Sequence, residues 1–362
     1  MPFSLRSRWT VPAAGATAVV AALVISPMVA DASPSLPPRT AAELLASTTA
    51  AADHPFSGTV VETARLGLPD LPTTGAGSTA LSAASLVTGS HTARVWYAGP
   101  GRSRIALVGD LAESDVIRNG TDAWTWSSAT NTAQHLTLPN ATVEAPAPTS
   151  DITPAQAAAK ALAAIDPTTT VSVEGTASIA GRSAYELVLA PKDAGSLVGQ
   201  VRLAIDSVTS TPLRVEVFAR GSGKPAFETT FTSVTFATPD PAVFSFSPPR
   251  GAKVTEQKMG APTPGERPDA AKDTAAKDAQ QPTVVGTGWT SVAVIKGVDL
   301  SAAGGNAQLS TLLRSAKQVS GSYGSGRVIT TALVSALLLD DGRVLVGAVT
   351  PAVLEQAATR AG

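Results

Sequence analysis

The stretch from Leu197 to Val254, LVGQVRLAIDSVTSTPLRVEVFARGSGKPAFETTFTSVTFATPDPAVFSFSPPRGAKV, decides the reading of the fold. Val201, Leu203 and Ile205 alternate with Arg202 and Asp206, the period of two that marks a half-buried strand. After a loop holding Thr211-Pro212, Leu213, Val215 and Val217 repeat the pattern against Arg214 and Glu216. Ala219 to Pro225 supplies a Gly/Ser-rich turn, and Phe227, Thr229 and Phe231 continue the apolar face. Phe244 and Phe246 close the run before Pro248-Pro249 and Gly251. Successive antiparallel strands follow from this pattern, and their apolar face needs a cover.

Strand signals extend upstream. Thr170–Ser178, a turn at Ala180-Gly181-Arg182 and Ser183–Leu189 make a hairpin whose Tyr185, Leu187 and Leu189 point one way. Arg94–Tyr97, the turn Gly99-Pro100-Gly101 and Arg104–Val108 make another. Ser114–Arg118, Asn119-Gly120 and Thr121–Ser127 suggest a third. A two-residue Asn-Gly turn there pairs Trp124 with Asp115 and Trp126 with Glu113, setting carboxylates on an aromatic face. Either that face is partly wet or the loop is longer, and the longer loop is the favoured expectation. Thr40-Ala-Ala-Glu43 is a capping box opening a helix with Leu44 and Leu45, ending before Pro55. Phe56–Thr63 reads as the first strand. Gly67–Ala84 reads as a surface excursion, and Asn140–Ser150 as a Pro/Ala/Thr linker. Thr153-Pro154 opens a helix over Ala155–Ile165.

The order strand, "D..T..PL" turn, strand, "F.sv.f" strand and "F.F.PP.GA.V" resembles the C-terminal half of the LolA/MucB(RseB)-like domain, an extracytoplasmic family of lipoprotein carriers and envelope-stress sensors. The residues that carry the resemblance are Asp206, Thr209, Pro212, Leu213, Phe231, Val234, Phe236, Phe244, Phe246, Pro248, Pro249 and Gly251-Ala252. The starting helix with Phe56-Ser-Gly-Thr-Val-Val-Glu-Thr63, the hairpin of Gly120, Trp124 and Trp126, and the segment around Tyr185 are similar too. The resemblance implies an α+β fold: an incomplete, strongly curved antiparallel barrel whose concave face is covered by helices and receives acyl chains. Thr40–Ala52 and Ala155–Ile165 are then the lid candidates. Trp96, Trp124, Trp126, Tyr185, Leu187, Leu203, Leu213, Val215 and Phe231 are the candidate lining of a lipid cavity. Implied partners are acyl chains of lipoproteins or lipids, with an ABC transporter as a possible neighbour. In the MucB/RseB branch the partner is an anti-sigma factor, bound through the C-terminal lobe. The alanine-rich composition resembles high-GC Gram-positive relatives, where an outer-membrane destination is not expected.

Composition bounds these readings. The chain has 362 residues, 15% of them charged, with a net charge of −1 and no cysteine. It therefore lacks the basic field of a nucleic-acid binder and can form neither a disulfide nor a lipidated cysteine. Arg6 and Arg8 precede the uncharged stretch Val11–Ala30, and Ala30-Asp31-Ala32 offers a small-x-small cleavage pattern. Residues 1–32 thus read as a signal peptide or an N-terminal membrane anchor; both place the remainder outside the membrane. Residues 39–254 are expected to form the incomplete-barrel domain. The Lys/Asp/Glu/Pro/Ala stretch 255–283 is expected to be a disordered linker, and its low apolar content already begins at Gly251. Residues 284–362 form a C-terminal α+β lobe that either extends the sheet or stands as its own unit. There Gly288-Trp289 leads a strand through Ile295, and Gln308–Gln318 suits an amphipathic helix. Val328–Leu339 and Val344–Val349 read as strands joined at Asp340-Asp341-Gly342, and Thr350-Pro351 starts a last helix.

Catalytic patterns are missing. His54, His91 and His135 lie far apart without a second metal ligand at a fitting spacing. There is no G-x-S-x-G elbow; Gly321–Gly326 is a glycine-rich turn, and Gly221-Ser-Gly-Lys224 lacks phosphate-loop spacing. Asp340-Asp341 and Glu113/Asp115 read as turn or surface carboxylates. The expectation is non-catalytic binding of acylated molecules without metal or cofactor.

Overall fold

The computed structural model of the chain describes residues 34–50, 54–67, 88–109, 112–138, 167–258, 282–298, 313 and 316–361. The motif around Asp206 explains itself in the turn from β9 (Val198–Asp206) to β10 (Pro212–Ala219). Asp206 Oδ1 accepts hydrogen bonds from the amides of Val208 (3.1 Å) and Thr209 (2.7 Å) and from the Thr209 hydroxyl (2.9 Å). Arg182, the first residue of β8 (Arg182–Pro191), donates through Nη2 to Oδ1 (2.9 Å) and through Nε to Oδ2. One carboxylate thus closes one turn and ties it to the neighbouring strand. Pro212 starts its strand, where a missing N–H costs least, and Leu213 beside it is buried.

Hairpins build outward from there. β8 pairs with β7 (Thr169–Ile179), and β10 pairs with β11 (Pro225–Thr235). β11 then pairs with β1 (Phe56–Arg65), a junction between strands remote in sequence. From β1 a meander runs through β2 (Thr88–Tyr97), β3 (Arg102–Val108), β4 (Glu113–Asn119), β5 (Asp122–Ser127) and β6 (Thr132–Thr137). β12 (Lys253–Lys258) adds to β6 in parallel. The result is a twelve-stranded sheet ordered β12-β6-β5-β4-β3-β2-β1-β11-β10-β9-β8-β7, which does not close on itself. It is strongly curved. Bulges interrupt the register at Thr59/Val60, Val173/Gly175 and Pro212/Arg214, and bulges bend and twist a sheet. β7 and β11 have three strands between them in the order, yet touch each other. In a flat sheet they would be about 19 Å apart. The expected open, curved antiparallel sheet is the one observed.

The helix α1 (Ala41–Ala50) begins with the capping box the sequence announced: the Thr40 amide donates to Glu43 Oε2 (2.8 Å) and the Glu43 amide to Thr40 Oγ1 (3.2 Å). Leu44, fully buried, drives into Tyr185, Leu187 and Ile205, with Val171, Val173, Leu189 and Leu203 around them. Pro37 O accepts from the Tyr185 hydroxyl at 2.8 Å, so the chain entering α1 is fixed as well.

The C-terminal lobe has its own sheet. β13 (Thr283–Val285), β14 (Val292–Ile295), β15 (Lys317–Gly321), β16 (Gly324–Thr330), β17 (Ser335–Leu339) and β18 (Val344–Gly347) assemble as β13-β14-β18-β17-β16-β15. The helix α2 (Pro351–Arg360) lays Leu354, Ala357 and Ala358 on Val292, Val294, Leu337, Leu339, Leu345 and Val349. The lobe therefore builds a sheet of its own and does not extend the large one. It is joined to the large sheet by backbone bonds Leu197 N to Ala348 O (2.9 Å), Thr350 N to Gly195 O (2.8 Å) and Ala332 N to Leu66 O (2.8 Å). Trp289 Nε1 donates to Thr169 Oγ1 at 2.7 Å. Leu333, Ala332, Ala348 and Trp289 cover Val198, Val201, Val217 and Phe227 of the large sheet.

Several local expectations are corrected. The β4–β5 connection is not a longer loop: Asn119 pairs with Asp122 around a two-residue turn, Gly120-Thr121, one position later than an Asn-Gly turn. Lys253–Lys258, inside the stretch read as disordered from Gly251, is strand, because a sheet edge supplies the backbone partners its side chains do not need. Val328–Leu339 is two strands. The Thr331 hydroxyl bonds the amides of Leu333 and Val334 and makes a turn where apolar continuity suggested none. Gly288–Thr290 is a single 3-10 turn ahead of β14, and Pro241–Phe244 is another, capped by Asp240. Lys317 and Gln318 open β15 instead of ending a helix. The segments 1–32 and 155–165 lie outside the described residues, as does most of 308–318.

Candidate functional site

The nine candidate lining residues fall in three neighbourhoods. Tyr185, Leu187 and Leu203 lie under α1; Leu187 is wholly buried and Tyr185 nearly so. Leu213 and Phe231 pack with Ile179, Ala184, Ala204, Val234 and Phe236. Val215 joins them around a small cavity of ≈ 70 Å³. Trp96, Trp124 and Trp126 occupy the opposite half of the sheet.

In that half, cross-strand pairing sets Trp96, Arg104, Ile117 and Trp124 in one row, and Ala106, Asp115 and Trp126 in the next. Directly opposed residues share a face, so a carboxylate does sit on the aromatic face. Arg104 answers it: Nη2 donates to Asp115 Oδ2 at 2.6 Å, and the guanidinium lies 5.5 Å from the Trp96 ring centre. The same Arg104 donates through Nη1 to Val243 O (3.3 Å), holding the strap between β11 and β12 over this face. Phe244 of the strap is buried, and Phe246 lies 5.3 Å from the Trp124 ring and 6.1 Å from that of Trp126. His135, opposite Trp124 on β6, stacks on its ring at 4.2 Å and meets Asp122 Oδ1 at 3.0 Å.

Three members of this cluster escaped the sequence reading: Arg104, the strap with Phe246, and His135. The one available signal was the carboxylate that register placed beside tryptophan, which demanded a cation on the next strand.

No protein-family model matches the chain, and no curated protein matches it. Among solved structures it is similar to MucB. In the Pseudomonas aeruginosa MucA/MucB complex the identity is 15%, covering 88% of this chain and 96% of that chain, with a TM-score of 0.45. A LolA superfamily protein from Nitrosomonas europaea is 13% identical over 58% of this chain and 99% of that one, with a TM-score of 0.23. LprF from Mycobacterium bovis is 13% identical over 56% and 96%, with a TM-score of 0.27.

The electrostatics of the two buried aspartates differ. Burial alone raises the Asp206 carboxyl, but Arg182, Thr209 and Val208 outweigh it and hold the group below its ordinary value. Burial raises Asp115 as well, and here Arg104 opposes it without reversing it, while Glu113 adds to the rise. Among the described residues no group of three or more acidic or histidine side chains is placed to hold a metal. No described helix is long and apolar enough to cross a membrane.

Proposed function

We propose that this chain is a non-catalytic extracytoplasmic protein that binds acylated molecules, lipoprotein acyl chains or lipids, at the outer face of the cytoplasmic membrane. The acyl chain enters the apolar face of β7 to β9 under α1. Tyr185, Leu187 and Leu203 form its seat, continued by Val215, which stands opposite Leu203; Leu213 and Phe231 belong to the neighbouring cluster with Ala184 and Ala204, and Trp96, Trp124 and Trp126 offer a second apolar surface beneath the strap. The observation that supports this reading is the way α1 is held. Among the described side chains of α1 Leu44 alone is fully buried, yet it covers an apolar patch drawn from three strands. Burying a leucine is worth about 1.5–3 kcal/mol and each methylene about 0.8 kcal/mol, so two to four methylenes replace what Leu44 contributes there, and Ala41 and Leu45, which also pack on the patch, raise the length needed. A longer alkyl tail therefore gains by lifting the helix and lying in its place.

The test is organic extraction of the purified chain followed by mass spectrometry. Stoichiometric acyl lipid is expected from the wild type, and none from Leu203→Glu secreted at a normal level. Normal lipid content in both Leu203→Glu and Trp124→Glu would refute the seat.

A second reading, a protein partner of the anti-sigma kind, is favoured by β15. This strand ends the C-terminal sheet, and strand addition at such an edge is a common way to bind an extended peptide. Val319→Pro should then abolish binding to a membrane-embedded anti-sigma factor while acyl content stays unchanged.

A further inference from the structure

The reverse side of the aromatic half carries a different chemistry. Residues alternate across a strand, so Ser114 and Val116 on β4, Thr125 and Ser127 on β5, and Thr132 and Gln134 on β6 face away from Trp124 and Trp126. Together with Thr255 of β12, and with Trp126 and Ala133 between them in the chain, they line a cleft of ≈ 590 Å³, within the size range of small-molecule sites. Ser114 and Ser127 stand directly opposite each other across the β4–β5 pair. Only 1% and 5% of their surface is exposed, and neither hydroxyl has a hydrogen-bond partner. Buried hydroxyls are ordinarily satisfied, and leaving two unsatisfied at one place carries a real cost.

No residue lining the cleft bears a charge. Phosphates, carboxylates and ammonium groups would lose their hydration there without gaining an ion pair. A plain alkyl chain would leave the serines as they are. What matches five hydroxyls and an amide around an apolar patch is a molecule whose own hydroxyls both donate and accept and whose ring carbons present an apolar face. Val116, in the lining, is 40% exposed, and Ile105, its partner across the β3–β4 pair, is 45% exposed and extends the apolar patch beside the cleft. We propose that this cleft is a binding site for a neutral sugar, with Ser114 and Ser127 as its buried hydrogen-bonding floor. The site does not depend on the acyl seat under α1, from which it is separate, and shares Trp126 with the surface beneath the strap.

The experiment uses the purified full chain, with maltose and cellobiose as probes followed by saturation-transfer NMR and titration. Glucuronate, inorganic phosphate and laurate serve as comparison ligands. Saturable binding of at least one neutral disaccharide is expected below about 10 mM, weakened about tenfold or more in Ser114→Ala/Ser127→Ala. That variant should keep or raise the denaturation midpoint, because it removes two unpartnered buried groups. Trp124→Glu, on the other face, should bind sugar as the wild type does, and laurate uptake should be unchanged in the serine variant. Three results would each overturn the proposal: no saturable sugar binding up to about 10 mM, equal affinity in the double variant, or displacement of the sugar by phosphate or laurate.

Discussion

Two arginine–aspartate pairs, one in each half of the large sheet, show how differently the same chemistry can be installed. At the β8–β9 end, both oxygens of Asp206 are engaged, by Arg182 and by the turn it closes. At the β3–β4 end, Asp115 is just as buried, but Oδ1 and Arg104 Nε have no partner. Arg104 there divides itself among Asp115, Val243 O and the Trp96 ring. The first pair is a framework device formed within one short stretch of chain. The second is a junction that links a strand, an aromatic cluster and a strap from far along the sequence. Completely satisfied buried charges specify a structure, whereas incompletely satisfied ones leave room for rearrangement.

The largest effect expected from this contrast is at Asp206. Asp206→Ala strands Arg182 and three turn donors, and should cost about 3–5 kcal/mol in urea unfolding. A loss under about 1 kcal/mol would erase the distinction between the pairs. Leu187→Ala, at a wholly buried position under α1, should cost about 2–5 kcal/mol. Leu44→Ala removes the anchor of the helix while sparing the sheet. Its cost should be near the low end, about 2 kcal/mol, with early proteolytic cleavage around α1 as the accompanying sign. Asp115→Asn should change stability by no more than about 1 kcal/mol, since the carboxylate it replaces is poorly served.

Acid titration sharpens the same comparison. Asp206 is held below its ordinary value, so its contribution is complete above the unfolded carboxyl's pKa of about 4 and is lost as pH falls through the lower folded value. Asp115 is raised, so the folded chain holds that proton more tightly than the unfolded one. Its penalty therefore grows as pH climbs from about 4 through the folded value. Unfolding measured from pH 3 to 7 should show Asp206→Asn losing the acid-side decline and Asp115→Asn losing the opposite slope. Parallel profiles for the two variants would contradict the assignment.

The sequence was most readable where structure is local. The Asp206-Thr209-Pro212 turn, the Thr40/Glu43 cap and the alternation of Leu187, Leu189 and Leu203 each follow from neighbours a few residues away. It was least readable where partners are distant. Nothing near Trp124 announces that Phe246 covers it, and nothing in the polar run Lys253–Lys258 announces a strand. The β4–β5 turn shows how one position matters: moving it from Asn119-Gly120 to Gly120-Thr121 exchanges the partners of both tryptophans. The lining candidates rest on the family resemblance and on strand alternation, which identifies a face but not what lies across it. That is why they divide among three neighbourhoods.

The parallel strand at the rim has a consequence for assembly. β12 reaches β6 across 120 residues of sequence, and its residues 253–257 are exposed, so it docks by closing a long loop for little apolar gain. Until it does, β6 presents bare peptide groups to any neighbouring molecule. A chain cut after Pro249 would keep that rim open, and polymers of otherwise native subunits, joined edge to edge, are what such a truncation should yield.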